Sequence, residues 1–110
     1  MKHIIRLHPR PFAQVKEGKK TIETRLNDEK RRGISVGDTI EFVSRENPEE
    51  KVLVRVIALE KYDTFSELFD AFPPEDFGGT GKENLMSIYQ YYSKEDEVKY
   101  GVVGIQFERS

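Results

Sequence analysis

The sequence contains no cysteine and no tryptophan, only two histidines, and no long uncharged apolar run. The absence of cysteine excludes a disulfide framework, a thiolate metal site and a cysteine nucleophile. His3 and His8 flank one predicted strand with no further histidine nearby, so we expect no metal site and no cofactor. The first apolar stretch is broken at Arg6, which excludes a signal-peptide core, and no run is long enough to cross a bilayer. These absences predict a cytoplasmic protein without a membrane partner.

An excess of positive charge is also lacking. The chain has 18 lysines and arginines against 20 aspartates and glutamates, which leaves a net charge of -2. This balance excludes a protein that binds nucleic acid over its whole surface, so any site for an anion must be local. At 110 residues, with 7 Phe and 5 Tyr for a core, the chain is long enough for one domain, spanning residues 1–110.

Apolar periodicity predicts five strands and three helices. The strands are residues 4–7, 20–26, 39–44, 51–59 and 100–107, and the helices begin near Pro9, Thr64 and Glu83. We expect residues 51–59 to form a central strand covered on both faces, and the charged residues 27–33 to form a solvated loop. Because most strands follow one another without a helical crossover, the order predicts an α+β fold, a small mixed or antiparallel barrel with flanking helices.

The strand at residues 20–26 carries several charged side chains. Period-two alternation places Glu23 and Arg25 on one face, where the two side chains can hold one another. Lys20 falls on the opposite face, so it joins them only if the backbone is irregular near Gly18. An exposed, solvated ion pair between Glu23 and Arg25 is the alternative that the pattern allows.

The residues Gly-Lys-Lys-Thr-Ile-Glu-Thr-Arg at positions 18–25 match the G-x-K-x-x-E-x-R signature of ASCH domains. The Val-Gly-Asp turn at 36–38 and the chain end from Tyr91 onwards also resemble small bacterial single-domain members of this family. The resemblance covers nearly the whole chain. It implies a small PUA-like mixed β-barrel of about five to six strands with flanking helices. It also implies a cleft between barrel and helices, which in related domains receives RNA or a nucleotide-like ligand.

The leading hypothesis is therefore binding of RNA or a modified nucleoside or nucleotide through Lys20, Glu23 and Arg25, with Lys19 and Arg31 as outer contacts. A lysine or arginine pairs with phosphate, a glutamate accepts from an exocyclic amine, and an arginine reads a base edge or stacks on it. The oligomeric state is left open.

Catalysis is the second hypothesis. One branch of small ASCH proteins resembles this chain in length and is described as amidohydrolases that act on acetylated cytidine with a lysine, a threonine and a glutamate. The resemblance implies Lys20 for the lysine, Glu23 stands at the threonine position, and the glutamate is either Glu75 or Glu83. Lys20 and Glu23 would then share the activation of water on a C–N amide bond of an acylated nucleoside.

Three further features complete the predictions. Tyr91 is predicted to be an exposed stacking platform, whereas Tyr89 and Tyr92 are predicted to face the core. The glycine-rich residues 78–82 are predicted to be a hinge or lid over the cleft. A third functional hypothesis is a protein-interaction module whose charged strand binds another protein.

Overall fold

Five strands form one mixed sheet and five α-helices flank it in the structure, a computed structural model that describes residues 1–79 and 81–110, with only the backbone described for residues 81–84. The strands are β1 (Lys2–Leu7), β2 (Ile22–Leu26), β3 (Thr39–Ser44), β4 (Lys51–Tyr62) and β5 (Val102–Arg109). The helices are α1 (Pro9–Lys16), α2 (Glu29–Arg32), α3 (Phe65–Ala71), α4 (Gly81–Ile88) and α5 (Lys94–Tyr100), with one turn of 3₁₀ helix at Pro74–Phe77.

The strand order in the sheet is β1-β3-β4-β5-β2. β1 runs parallel to β3, and every other neighbouring pair is antiparallel. The sheet curls into an open half-barrel whose two edges are β1 and β2. This architecture confirms the predicted α+β fold, a mixed barrel-type sheet with helices at its flank. No helix of the described residues is long and apolar enough to cross a membrane.

Two apolar clusters hold the fold together. The first lies inside the curled sheet and includes Ile5, Phe42 and Val54, which the alternation of their strands directs inward. The second lies between β2, β5 and the helices, where Ile22 packs with buried side chains that include Phe65. The signature strand β2 is therefore the edge strand that packs against the helices, and this position sets where a cleft can form.

The structure corrects the prediction that β4 is covered on both faces. Val52, Val54 and Val56 are buried, but the alternate residues Leu53 and Ile57 are 46% and 42% exposed. The strand is central, as predicted, because it pairs with β3 and β5. The face of β4 that carries Leu53 and Ile57 is therefore open to solvent along this part of the strand.

Two short helices were not predicted. The segment 27–33, predicted to be a solvated loop, contains α2, which begins where the Asp28 carboxylate accepts from the amide of Arg31 at 3.1 Å. α5 begins in the same way, because the Ser93 hydroxyl accepts from the amide of Asp96 at 3.1 Å. Capping side chains stabilise both helices in place of a long apolar stripe.

A buried carboxylate joins the last three helices. Thr64 caps α3 as predicted, since its hydroxyl accepts from the amide of Glu67 at 3.1 Å. The amide of Phe65 donates instead to Glu97 of α5, at 2.7 Å, and the hydroxyl of Tyr89 donates to the same Glu97 oxygen at 2.8 Å. Glu97 therefore fixes α3 against α5 and against the segment that follows α4.

Candidate functional site

The signature residues meet because β2 begins later than the alternation predicts. Gly18 adopts a left-handed backbone with φ of 78°, which turns the chain at the end of α1. Two consecutive amides, the second belonging to Lys20, then donate to the carbonyl of Gln14 at 2.9 and 3.1 Å. The strand starts only at Ile22. Lys20 is therefore outside the alternating register, and its ammonium group lies 3.3 Å from the Glu23 carboxylate.

Both carboxylate oxygens of Glu23 have partners within the protein. Its Oε1 receives the Lys20 ammonium at 3.3 Å and the amide of Thr24 at 3.2 Å. Its Oε2 accepts from Nε and Nη2 of Arg25 at 3.1 and 2.9 Å, which is a bidentate arginine contact. Glu23 is 5% exposed. Glu23 therefore holds the two cations in position. Both of its carboxylate oxygens already accept from groups of the protein, so they are not open to a ligand.

The two cations also tie β2 to its neighbours. The ammonium of Lys20 donates to the carbonyl of Phe77 in the 3₁₀ turn at 3.3 Å. Nη2 of Arg25 donates to the carbonyl of Arg6, in β1, at 3.4 Å. Because β1 and β2 are the two edges of the sheet, the Arg25 side chain bridges the gap where the half-barrel is open.

Charge balance keeps this network ionised. Burial raises the pKa of Glu23, but the charges of Lys20 and Arg25 outweigh burial, and the pKa lies below its ordinary value. Burial lowers the pKa of Arg25, whereas Glu23 and then Tyr92 raise it, and the net pKa lies above its ordinary value. Glu23 and Arg25 are thus a buried ion pair, in contrast to the solvated pair that the alternation alone allowed.

The network forms one wall of a cavity of about 690 Å³. This cavity lies beside the end of β1, the start of α1 and the residues that follow α4. Among its described lining residues are five basic side chains and one carboxylate, that of Glu23. The basic side chains are Arg6, Arg10, Lys20, Arg25 and Arg45. The described lining of the cavity is therefore rich in positive charge, although the chain as a whole is slightly negative.

Aromatic rings also line the cavity. Tyr91 is 58% exposed and stacks on His8, with ring centroids 5.3 Å apart and an interplanar angle of 26°. Tyr92 is half-buried and packs on Phe65 at 5.6 Å. The prediction that Tyr91 is exposed while Tyr89 and Tyr92 face the core is confirmed. Tyr91 and His8 present flat rings to whatever enters the cavity.

The predicted outer contacts lie away from the cavity wall. Lys19 is exposed, pairs with Glu17 at 3.2 Å, and is not among the lining residues. Arg31, on α2, also does not line the cavity, but it lies near the network: burial and then the charge of Arg25 lower the pKa of Arg31.

Of the two glutamates considered for catalysis, Glu75 does not line this cavity. Glu75 is exposed in the 3₁₀ turn and is not among the lining residues, and the side chain of Glu83 lies outside the described residues. The hydroxyl of Thr24 is buried and has no hydrogen-bond partner among the described residues, so it is not paired with the Lys20 ammonium.

The glycine-rich segment lies at the cavity in its first two residues. Gly78 and Gly79 line the cavity, and the side-chain amide of Gln14 donates to the Gly78 carbonyl. Gly78 has φ of 92°, a conformation that suits glycine. Thr80 and the side chain of Lys82 lie outside the described residues, so the hinge or lid stays a prediction.

Neither histidine belongs to a metal site in the described residues, which contain no group of histidine, aspartate and glutamate side chains suited to a metal ion. Nε2 of His3 lies 2.8 Å from Asp38, and Asp38 also accepts from the amide of Ser35 at 3.0 Å. These contacts, with burial as a smaller opposing effect, hold the pKa of Asp38 at about 2. His3, in β1, therefore helps to hold Asp38 and the turn before β3 in place.

The basic lining residues that sequence reasoning missed are Arg6, Arg10 and Arg45. They come from three different segments, and no local spacing joins them. The available signal was that Arg6 lies next to the end of one predicted strand and Arg45 directly follows another. Two parallel strands bring such positions to the same edge of a sheet.

The comparisons with known proteins agree with this fold. The family model described as ASCH domain matches residues 5–110. Hypothetical protein PH0355 has a crystal structure with a TM-score of 0.87 and 35% identity, and the match covers 100% of each chain. Protein PF0455 from Pyrococcus furiosus has a solution structure with a TM-score of 0.77 and 36% identity, over 99% of this chain and 97% of its own.

A more distant structure shares the fold alone. The ASCH protein from Zymomonas mobilis matches with a TM-score of 0.64 and 14% identity, over 96% of this chain and 65% of its own. No curated protein matches the chain at a significant level.

Proposed function

Because the chain belongs to the ASCH domain family, we propose that its basic cleft binds a nucleotide, either within RNA or as a free modified nucleoside or nucleotide. The family's fold is related to PUA-like RNA-binding domains. One observation carries the proposal: five basic side chains line a cavity of about 690 Å³ in a chain whose net charge is -2. Positive charge is thus concentrated where a concave surface can enclose an anionic ligand.

The buried network supplies the fixed part of this site. Glu23 holds Lys20 and Arg25 by three contacts of 2.9 to 3.3 Å, so the two cations are positioned before a ligand arrives. Preorganised donors lose little conformational entropy on binding, which favours affinity. Lys20 and Arg25 are the direct contacts in this proposal, and Glu23 is a positioning residue.

The stacked rings of Tyr91 and His8 suit the base of the ligand. A base gains about 1 to 3 kcal/mol from stacking on an aromatic side chain, and every base offers such a face. The cavity volume lies within the range of about 300 to 1,000 Å³ that is usual for small-ligand sites, and one nucleotide fits this range.

The test is the affinity of the protein for labelled single-stranded RNA and for free nucleotides, measured by fluorescence anisotropy or calorimetry at several salt concentrations. We expect affinity to fall steeply as salt rises, and to fall about tenfold or more in Arg25→Gln. Arg55→Gln is the matched control, because Arg55 is exposed on β4, pairs with Glu108 and does not line the cavity.

A second variant guards against loss of folding in Arg25→Gln. Tyr91→Ala removes an exposed ring, so it should keep the wild-type melting temperature and still weaken binding. Absence of binding to every RNA and nucleotide tested, or an equal loss of affinity in the control Arg55→Gln, would contradict the proposal.

Hydrolysis of a C–N amide bond on an acylated nucleoside is the second candidate function. It is favoured by the contact of Lys20 and Glu23 at 3.3 Å in the wall of the cavity, where the two groups could activate a water molecule. The unpartnered Thr24 hydroxyl gives no support to an activated threonine. The test is acetate release from acetylated cytidine by the wild-type protein and by Lys20→Ala, and silence across a panel of acylated nucleosides would remove this candidate.

The protein-interaction hypothesis loses its main support. It requires a charged strand that is open to a partner, but Glu23 is buried and the side chain of Arg25 is 17% exposed. The charges of β2 face the cavity and each other, so a partner protein could not reach them across a flat surface.

A further inference from the structure

The cleft carries a second set of positive charges that the buried network does not use. Arg6 is the penultimate residue of β1, and Arg45 is the first residue after β3. The two strands are parallel, with Arg6 opposite Val43, and the amide of Arg45 donates to the carbonyl of Leu7 at 2.9 Å. Both arginines therefore lie at the carboxyl end of this parallel strand pair, and both line the cavity.

These two arginines differ from Lys20 and Arg25 in their charge balance. Lys20 and Arg25 share the carboxylate of Glu23, whereas in the described part of the chain no carboxylate forms an ion pair with Arg6 or Arg45. Both Arg6 and Arg45 are also exposed. Each guanidinium group thus keeps its forked donors available in the cavity, and this planar geometry matches the oxygens of a phosphate group.

The rest of the cavity suits the uncharged part of a nucleotide. The stacked rings of His8 and Tyr91 offer an aromatic face, and the apolar side chains of Phe69 and Phe77 also line the cavity. A ligand with one anionic end and one flat, partly apolar end would use both kinds of surface. Its anionic end would meet Arg6 and Arg45, which lack carboxylate partners.

We propose that Arg6 and Arg45 form a phosphate subsite, so that the cleft prefers a phosphorylated nucleotide unit to the unphosphorylated nucleoside. The inference rests on the proposed function of nucleotide binding and adds the ligand's charge state to it. The phosphate belongs either to a free nucleoside monophosphate or to one residue of an RNA strand. In both cases Arg6 and Arg45 bind the phosphate oxygens, while Lys20 and Arg25 remain for the sugar and base.

The experiment compares matched ligands on matched proteins. The ligands are the four common ribonucleosides, their 5′-monophosphates and a short single-stranded RNA, and affinities are measured by calorimetry at low salt. The proteins are the wild type, the double variant Arg6→Gln/Arg45→Gln, and the control Lys16→Gln/Lys51→Gln. The control removes the same charge from two exposed lysines that do not line the cavity.

We expect the wild type to bind at least one monophosphate about tenfold or more tightly than its nucleoside. The double variant should lose this preference and keep the nucleoside affinity, and the control should keep both. If RNA binds more tightly than the monophosphates, and the double variant loses affinity for RNA as well, the phosphate belongs to an RNA strand. Equal or weaker RNA affinity assigns it to a free nucleotide.

Two results overturn the inference, and they are distinguishable. If nucleoside and monophosphate bind the wild type equally, or if the double variant keeps the preference, the phosphate subsite is wrong and nucleotide binding still stands. If no nucleoside, monophosphate or RNA binds, the subsite and the proposed function both fail. If the double variant melts below the wild-type temperature, the single variant Arg45→Gln repeats the comparison, because Arg45 lies outside every strand.

Discussion

Replacing Glu23 by glutamine removes one negative charge from the buried network and keeps the shape of the side chain. The side chains of Lys20 and Glu23 are 9% and 6% exposed, and that of Arg25 is 17% exposed. Breaking a buried ion pair from one side costs about 3 to 5 kcal/mol, because the remaining charge is left without a partner. The adjoining cavity admits water to Arg25 and reduces this cost, so we expect Glu23→Gln to lower the free energy of unfolding by about 3 kcal/mol.

Urea denaturation at neutral pH measures this loss, and Glu108→Gln is the matched control. Glu108 also pairs with an arginine, Arg55, but the two side chains are 51% and 57% exposed. An exposed pair contributes at most about 1 kcal/mol, so the control should unfold near the wild-type midpoint. An equal, small loss in both variants would refute the reasoning, since it would mean that Glu23 is as well solvated as Glu108.

The same comparison has a pH dependence with a defined sign. Burial and the two cations together leave the pKa of Glu23 below its ordinary value of 4.5 in the folded protein. The stability that Glu23 contributes is therefore fully present above that ordinary value, and it is lost as the pH falls through the lowered pKa of the folded state. The difference in the free energy of unfolding between wild type and Glu23→Gln should therefore become smaller in this acidic range. A difference that stays constant with pH would contradict the lowered pKa of Glu23.

Two further predictions concern the scaffold around the cleft. Gly104→Ala would place a methyl group 2.8 Å from Cδ1 of Leu68, so we expect a loss of about 1 to 3 kcal/mol in denaturation experiments. Gly33→Ala, whose methyl group would meet only one atom, at 3.6 Å, serves as the control. Burial and then Glu97 raise the pKa of Tyr89 to about 12, so Glu97→Gln should lower this pKa in an ultraviolet titration, and an unchanged titration would contradict the contact.

The strands could be predicted because their apolar residues alternate locally. Val52, Val54 and Val56 are buried as the pattern indicates, and β3 and β4 pair as an antiparallel hairpin. α5 could not be predicted in this way, because its residues form no apolar stripe and Val98 is 85% exposed. Its position depends on contacts with distant residues, above all the hydrogen bond of Glu97 to the amide of Phe65.

In the site, too, local alternation predicted only some of the contacts, and the others depend on residues distant in sequence. Period two placed Glu23 and Arg25 on one face, and they form the bidentate pair. Lys20 joins them because its backbone amide donates to the carbonyl of Gln14. Strand alternation alone does not predict this contact. Arg6 and Arg45 share the cavity because β1 and β3 are parallel, which only the folded chain establishes.

A nucleotide bound in the cleft must alter the surroundings of the backbone amides that line it. Amide chemical shifts of isotope-labelled protein, recorded while a nucleoside monophosphate is added, locate the bound ligand directly. We expect the largest changes at residues 20–25 and at Arg6, Gly78 and Tyr91, all of which saturate together. Changes confined to the outer sheet face at Leu53 and Ile57, or no saturable change anywhere, would contradict nucleotide binding in this cleft.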